Sequence, residues 1–353
     1  MKKMILLFAL SLTWTATARP PVTPVRVAMN GFVADNIIAG SVTAVADKSM
    51  MLSLETTGFA DLEKKTTMPP NAMFWIASMT KPMAAVCVLQ LQEAGKLSID
   101  DPVEKHLPEF AGQWMIESRA KGTLTLKKPT RAITIRDLLT HTSGLPNTNS
   151  PRPESTLAEL VMSYSKTPLQ FEPGSRWSYS NAGINTLGRI VEAVSGTPFA
   201  EFLQAHVLNP CGMKDTTFWP TPAQAKRIAT SYRPGRDGQL ERTEVYFLKG
   251  GLSNRKRTPY PAGGLYSTAT DVVRFYQMML NGGTFKGQRV LKKETAALMT
   301  RTQTGDIKTG FVDGMSWGLG FQVVKTPQGV TASLSAGTYG HGGAFATQSW
   351  ADP

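Results

Sequence analysis

Cysteine is nearly absent from this 353-residue sequence, which contains only Cys87 and Cys211. Two cysteines are too few for the disulfide framework that stabilises many small exported domains. Cys87 lies inside an apolar helical run and Cys211 in a Pro-Cys-Gly turn, so we expect both to be small buried residues. Because 41% of the residues are hydrophobic, a sizeable apolar core must stabilise the fold instead.

Histidine is also scarce, and the four histidines at positions 106, 141, 206 and 341 are isolated in sequence. No Cys or His pair has the spacing of a metal site, and no Rossmann or P-loop glycine fingerprint is present. We therefore expect no cofactor. The net charge of +12 comes from scattered bases rather than a long basic run. Nothing indicates a nucleic-acid partner, while loose association with an anionic envelope surface and the oligomeric state stay open.

Long apolar runs are confined to the N-terminus. Lys2 and Lys3 precede an apolar run over 5–14, and Ala16-Thr17-Ala18 offers small residues for cleavage. This pattern is typical of a secretory signal peptide over residues 1–18. The alternative is a membrane anchor, but the run is short for a bilayer and no later run reaches that length. We expect the mature protein to be soluble and exported, either periplasmic or secreted, after cleavage near Ala18.

Strand-like runs lie near both ends of the chain, and helical spacing dominates the middle. Alternating or β-branched runs occur at 41–46, 50–56, 318–324 and 343–350. Helical spacing occurs at 25–38, 78–94, 135–140, 157–165, 182–195, 199–208 and 271–280. This order predicts an α/β (α+β sandwich) fold with an antiparallel sheet built from both ends and flanked by helices. The predicted domains are an α/β domain over 19–100 and 256–353 and an inserted, mostly helical domain over 101–255.

Ser78-Met-Thr-Lys81 places a hydroxyl and an amine on one face of a predicted helix. Ser78 falls where a strand-like run gives way to that helix, so its N–H would be an unpaired donor suited to an oxyanion. Lys81, if buried, would lose its charge readily and accept the serine proton. The spacing alone is weak, because Ser118, Ser163 and Ser253 also precede a lysine by three residues. An ordinary first-turn serine is the alternative.

Two other segments carry candidate groups. Tyr179-Ser-Asn181 lies in a polar loop, where extended backbone would project both side chains to one side. The phenol would shuttle protons and the amide would orient a carbonyl, whereas the alternative is a packed aromatic and an N-cap. His341-Gly342-Gly343 precedes a predicted strand, and such glycines mark a close backbone approach. Ala344 N–H would be the second oxyanion donor, and a hairpin turn is the alternative.

A rival nucleophile is Ser316 in Gly314-Met-Ser-Trp-Gly318, which matches a nucleophile-elbow pattern. That pattern requires an acid and then a histidine downstream of the serine. His341 follows Ser316, but no Asp or Glu lies between them. We therefore reject this alternative.

Taken together, Ser78-Met-Thr-Lys81, Tyr179-Ser-Asn181 and His341-Gly342-Gly343 resemble the three ordered motifs of the penicillin-recognising serine hydrolases. The chain is most similar to the branch of class C β-lactamases, D-Ala-D-Ala peptidases and β-lactamase-like carboxylesterases. The resemblance implies a β-lactamase/transpeptidase-like fold with the site between its two domains. Ser78 would attack a carbonyl, Lys81 and Tyr179 would handle its proton, and Asn181 would position the acyl group. Ser78 and Ala344 N–H would form the oxyanion hole.

Two departures from that family narrow the expected function. His341 stands where the β-lactamases usually carry a lysine that meets the drug's carboxylate. This favours an ester or peptide-like acyl substrate over a β-lactam. The sequence also ends soon after the third motif, where relatives continue with further strands and a helix, so we expect a C-terminally truncated fold. The expected function is an exported esterase or peptidase-like hydrolase; a true β-lactamase and a non-catalytic binding relative are the alternatives.

Overall fold

The computed structural model describes residues 23–120, 122–148, 153–245 and 250–353, so the predicted signal peptide lies outside the described residues. The helices are α1 Pro24–Ala34, α2 Lys81–Glu93, α3 Ile135–Leu139, α4 Leu157–Ser165, α5 Asn181–Ser195, α6 Phe199–Leu203, α7 Pro222–Ala225, α8 Ala269–Leu280 and α9 Lys293–Thr300. The strands of the first half are β1 Gly40–Ala46, β2 Met51–Asp61, β3 Thr66–Thr67, β4 Phe74–Trp75, β5 Met115–Ala120 and β6 Thr123–Lys127. The later strands are β7 Tyr232–Pro234, β8 Leu240–Arg242, β9 Tyr266–Ser267, β10 Thr284–Phe285, β11 Gln288–Arg289, β12 Met315–Trp317, β13 Gln322–Val324, β14 Tyr339–Gly343 and β15 Thr347–Ala351.

The larger sheets come from the two ends of the chain and are antiparallel. The first has the order β1-β2-β3 and the second the order β12-β13-β14-β15. Helix α8 packs against both: Gln277 Nε2 donates to the carbonyl of Asp47 after β1, and Tyr276 OH accepts from Ser349 Oγ of β15. The predicted mixture of helices and antiparallel sheet is therefore confirmed. Among the described strands, however, the two ends form separate hydrogen-bonded sheets joined by a helix.

Tight turns interrupt both strands predicted near the C-terminus. The predicted strand over 318–324 is wrong in its first half, because a turn over 318–321 separates β12 from β13. The predicted strand over 343–350 starts at the last residue of β14 and is interrupted at 344–346 by the turn that joins β14 to β15. In that turn Phe345 and Ala346 have φ values of 61° and 63°. Such turns normally contain glycine or asparagine, so a Phe-Ala pair gave no turn signal.

The middle of the chain is mainly helical, and α4 has the predicted bounds. The helix predicted at 182 starts one residue earlier, at Asn181, and Ser180 is its N-cap through a 3.0 Å bond from Gly183 N–H to Ser180 Oγ. The helix predicted over 199–208 changes into a π-helical turn at Gln204–Leu208. This mostly helical region also contains a hairpin of β5 and β6, which the sequence analysis did not predict.

Helix α2 lies at the centre of the main apolar core. Its residues from Lys81 to Leu89 are all buried, and α2 packs against α5 and α6. A helix that is apolar on every side belongs in the interior of a domain. Lys81, the first residue of α2, is therefore buried together with the apolar residues that follow it.

Candidate active site

Ser78 lies in the short turn that joins β4 to α2. Residues Ala77–Thr80 form one turn of 3-10 helix before α2 begins at Lys81. The predicted single helix thus has a tighter first turn, and Pro82, which lacks an N–H, favours the start of α2 at this point. Residues three apart eclipse each other in a 3-10 turn. Accordingly, Lys81 Nζ donates a 2.9 Å hydrogen bond to Ser78 Oγ.

Lys81 is fully buried. Its Nζ also donates to the carbonyl of Ala262 at 2.6 Å, a backbone partner that no side-chain motif reveals. Burial holds the pKa of Lys81 well below its usual range, and within the described residues no carboxylate offsets this effect. A lysine with such a lowered pKa can be a neutral amine at neutral pH and accept a proton from an adjacent hydroxyl.

Tyr179 lies on the loop before α5, next to this pair. Lys81 Nζ lies 4.7 Å from the centre of the Tyr179 ring. Burial raises the pKa of the Tyr179 phenol, and a hydrogen bond with Ser78 opposes that rise only in part. The phenol is therefore protonated at neutral pH and has a proton to give. The structure brings Ser78, Lys81 and Tyr179 together, as expected.

His141 supports the Tyr179 loop, a role that the sequence analysis did not assign to it. Its carbonyl accepts from Ser178 N–H at 2.9 Å, and its Nδ1 accepts from Ser180 N–H at 3.1 Å. Its ring centre lies 4.5 Å from that of Tyr179 and 4.8 Å from that of Trp317. Burial keeps the pKa of His141 well below its usual range. Because Nδ1 accepts a bond, the neutral ring carries its proton on Nε2.

Asn147 also stabilises the loop that carries Tyr179, through two hydrogen bonds to its backbone. Its Nδ2 donates to the carbonyl of Tyr179 at 2.9 Å, and its Oδ1 accepts from Asn181 N–H at 2.6 Å. Asn181 itself is exposed and is the first residue of α5, whereas Ser180 between it and Tyr179 is extended as expected. Its side chain is also not among those that line the cleft described below.

His341, the first residue of the third predicted motif, lies on β14 beside the phenol ring of Tyr179. Its ring centre lies 6.2 Å from that of Tyr179, and its Nδ1 donates to the carbonyl of Gly342 at 2.6 Å. Burial lowers the pKa of His341 to about 3. The imidazole is therefore neutral at physiological pH. The sequence analysis expected a neutral ring, and the lowered pKa keeps it neutral at a lower pH than an ordinary histidine.

The glycines of this motif allow β14 to pass close to the nucleophile turn. A Cβ on Gly343 would collide with the carbonyl of Ile76 and with Thr347 Oγ1. Strand β13 pairs with β14 only at Tyr339 and Gly340. Among the described strands, none pairs with 341–343 on that side, so an extended ligand can lie along this edge, although the carbonyl of Gly342 is already bonded to His341 Nδ1.

A cleft of about 510 Å³ opens onto Ser78. It is lined by the site residues Ser78, Tyr179, His341, Gly342, Gly343 and Ala344 and by Phe311, Val312, Met315, Gln322, Val330, Thr331, Leu334, Gln348 and Trp350. None of these lining residues carries a formal charge. The rival Ser316 is buried in β12, where its hydroxyl lies 3.2 Å from that of Thr304.

The arrangement of Ser78, Lys81 and Tyr179 beside β14 agrees with a comparison of the chain with known families. Residues 25–353 match the Beta-lactamase family. This chain belongs to that family. Membership confirms the resemblance inferred from the three motifs, and with it the prediction of an enzyme of the serine hydrolase class.

Relatives within the family include hydrolases of more than one kind. Esterase EstB of Burkholderia gladioli is 31% identical over 348 residues, which are 89% of this chain and 82% of EstB. A Salmonella agona protein named for D-alanyl-D-alanine carboxypeptidase activity is 30% identical over 312 residues, 80% of this chain and 67% of that protein. The solved structure of EstCE1, described as a hydrolase with promiscuous acyltransferase activity, has a TM-score of 0.75 at 25% identity and covers 93% of this chain and 89% of that chain.

Proposed function

We propose that this chain is an esterase that cleaves uncharged carboxylic esters through a covalent acyl-enzyme on Ser78. The observation that carries this proposal is the hydrogen bond between Lys81 Nζ and Ser78 Oγ at the base of a cleft without charged side chains. The likeness to EstB supports the ester as substrate.

In the proposed reaction, Lys81 takes the proton of Ser78 as Oγ attacks the ester carbonyl carbon. Backbone N–H groups of Ser78 and Ala344 stabilise the oxyanion that forms. Tyr179 gives its proton to the departing alcohol and regains one from Lys81, and water then hydrolyses the acyl-enzyme. The backbone over 341–343 would hold the substrate along the free edge of β14. Asn181 would orient the acyl carbonyl after turning its exposed side chain into the cleft.

An uncharged ester suits this cleft better than a β-lactam or a peptide with a free C-terminus. Both of those substrates bring a carboxylate, and burying a carboxylate without a positive partner costs several kcal/mol. His341 is neutral, and no lining residue supplies a positive charge. The Salmonella relative favours a peptidase as second candidate, and a β-lactamase is the third.

The test is the intact mass of the protein after brief exposure to 4-nitrophenyl acetate. The wild type should gain one acetyl group and Ser78→Ala none. Ser316→Ala, which alters a buried serine outside the cleft, is the matched control and should still be acetylated. Acetylation of Ser78→Ala to the wild-type extent would refute the assignment. Cleavage of a chromogenic cephalosporin faster than of neutral esters would favour the β-lactamase instead.

We also propose that the protein is exported, because residues 1–18 have the pattern of a cleavable signal. Within the described ranges, no helix is both long and apolar enough to cross a bilayer. The mass of the protein recovered from the periplasm or medium of a bacterial host should correspond to a chain that starts after Ala18. Retention of all 353 residues in the cytoplasm would contradict this proposal.

A further inference from the structure

Phe311 is an exposed aromatic residue held against the phenol ring of Tyr179. Its side chain is 63% exposed. Its ring nevertheless packs edge-on against Tyr179 and Trp177, with ring centres 5.2 Å and 5.7 Å apart. A large apolar surface that stays open to water beside a reaction centre is typical of a place that a ligand covers.

Phe311 belongs to a set of apolar side chains around the opening of the cleft. Val312 is 40% exposed and Val330 is 81% exposed, and Leu334 completes the set. We call Phe311, Val312, Val330 and Leu334 the apolar mouth. All four line the cleft that contains Ser78. Apolar surface of this kind, at the rim of a pocket with a few polar groups at its base, fits an uncharged organic ligand.

Backbone hydrogen bonds connect the two sides of the apolar mouth. The carbonyl of Gly314, after Phe311 and Val312, accepts from the N–H groups of Lys325 and Thr326, both at 2.9 Å. Thr326 lies on the segment that leads to Val330. Gly314 has a φ of 82°, and a Cβ there would collide with the carbonyl of Thr326. The close approach therefore requires glycine, and it ties the segment that carries Phe311 to the segment that leads to Val330.

The proton balance of the proposed reaction decides which part of an ester reaches the apolar mouth. When Ser78 Oγ bonds to the carbonyl carbon, the bond from that carbon to the alcohol oxygen breaks. The alcohol oxygen must receive a proton from Tyr179, so it must come within hydrogen-bond distance of the phenol. Phe311 is a ring neighbour of Tyr179. The substituent on the alcohol oxygen therefore lies beside Phe311, whereas the acyl group stays on Ser78.

We propose that the apolar mouth binds the alcohol part of the ester, and that this enzyme prefers esters of apolar or aromatic alcohols. This inference rests on the proposed function and specifies its substrate class. On acylation, the neutral alcohol departs through the mouth with the proton that Tyr179 gives it, and Lys81 passes the proton that it took from Ser78 on to Tyr179. Water then attacks an acyl-enzyme from which the group that contacted Phe311 has gone.

The test compares ethyl acetate with benzyl acetate, which share an acyl group and differ only in the alcohol. Wild type should prefer benzyl acetate in kcat/KM, and Phe311→Ala should reduce that preference by roughly tenfold, the equivalent of one lost aromatic contact. Phe32→Ala is the matched control, because Phe32 is 45% exposed on α1 and does not line the cleft. The control should keep the wild-type preference.

A second measurement separates the alcohol site from an acyl site. The decay of the acetyl adduct, followed by intact mass, should be the same in Phe311→Ala and wild type, because no alcohol remains. An unchanged benzyl preference in Phe311→Ala would overturn the proposal, as would faster or slower decay of its acetyl adduct. A wild type that forms no adduct on Ser78 with any ester would refute the proposed function itself, which distinguishes the two failures.

Discussion

Replacing Lys81 with methionine removes the nitrogen that contacts Ser78 Oγ and the carbonyl of Ala262. Esterase activity should be lost, yet we expect the fold to become more stable at pH 7. The reason is that burial lowers the pKa of Lys81 in the folded state. Lys81 therefore holds its proton less firmly in the folded protein than in the unfolded chain, and this difference lowers the stability of the wild type at pH 7. Methionine has a similar length and no proton to lose.

The magnitude follows from proton linkage. A lysine with an unfolded pKa of about 10.4 costs at most about 5 kcal/mol to neutralise at pH 7, at about 1.36 kcal/mol per pH unit. The variant also loses two hydrogen bonds, worth about 1 kcal/mol each. The net gain for Lys81→Met is then at most roughly 3 kcal/mol at pH 7. For a chain of this size, that corresponds to a rise in Tm of roughly 4 °C.

The pH dependence has a definite sign. Because the folded pKa of Lys81 lies below its unfolded value, the unfolded state binds more protons and wild-type stability rises with pH up to about 10.4. The advantage of Lys81→Met should shrink by about 1.4 kcal/mol per pH unit above pH 7 and reverse by pH 10. Thermal unfolding at pH 7 and pH 10 measures this, with exposed Lys96→Met as control. A variant less stable than wild type by the same amount at both pH values would show that Lys81 keeps its proton in the folded protein.

Two other predictions concern the histidines beside Tyr179. His141→Leu removes the acceptor for Ser180 N–H and should lower kcat at least tenfold, with little change in KM and in the circular dichroism spectrum. His141→Asn should keep most activity, because asparagine offers an acceptor and tolerates the φ of 60° at this position. Equal losses of activity in both variants would refute the role of that acceptor. The pKa of His341 is about 3, so kcat/KM should show no His341 titration between pH 5 and 8, and a limb near pH 6.5 that disappears in His341→Gln would contradict the neutral assignment.

The sequence predicted local chemistry better than long-range support. Ser78 and Lys81 are three residues apart, and any helical turn brings such residues together. The loop carrying Tyr179 was recognisable because its motif is contiguous. His141, in contrast, contacts that loop from a position 38 residues earlier, and the backbone carbonyl of Ala262 has no side chain by which a pattern could reveal it. Contacts made by the fold, rather than by neighbours in the chain, were the ones that sequence patterns missed.

The turn between β14 and β15 also depends on a long-range contact that a local sequence pattern does not reveal. The hairpin between β14 and β15 turns through Phe345 and Ala346, both with positive φ, although neither residue type favours that conformation. Phe345 packs against Trp75, with ring centres 5.6 Å apart. Tertiary packing therefore holds a turn that local propensity would reject. The sequence analysis predicts uninterrupted strands over 318–324 and 343–350 because it uses local propensity and has no information on this packing.

The contact of Gly343 with the carbonyl of Ile76 links the two proposed oxyanion donors through backbone alone. Ile76 lies two residues before Ser78, and Gly343 directly precedes Ala344. The separation of the two donors is thus set by van der Waals contact between main chains, and no side chain intervenes. The side chains around the cleft can therefore vary without changing the spacing on which carbonyl chemistry depends. Substitutions around the cleft can therefore change which substrate fits, while the main chain keeps the two oxyanion donors at the same separation.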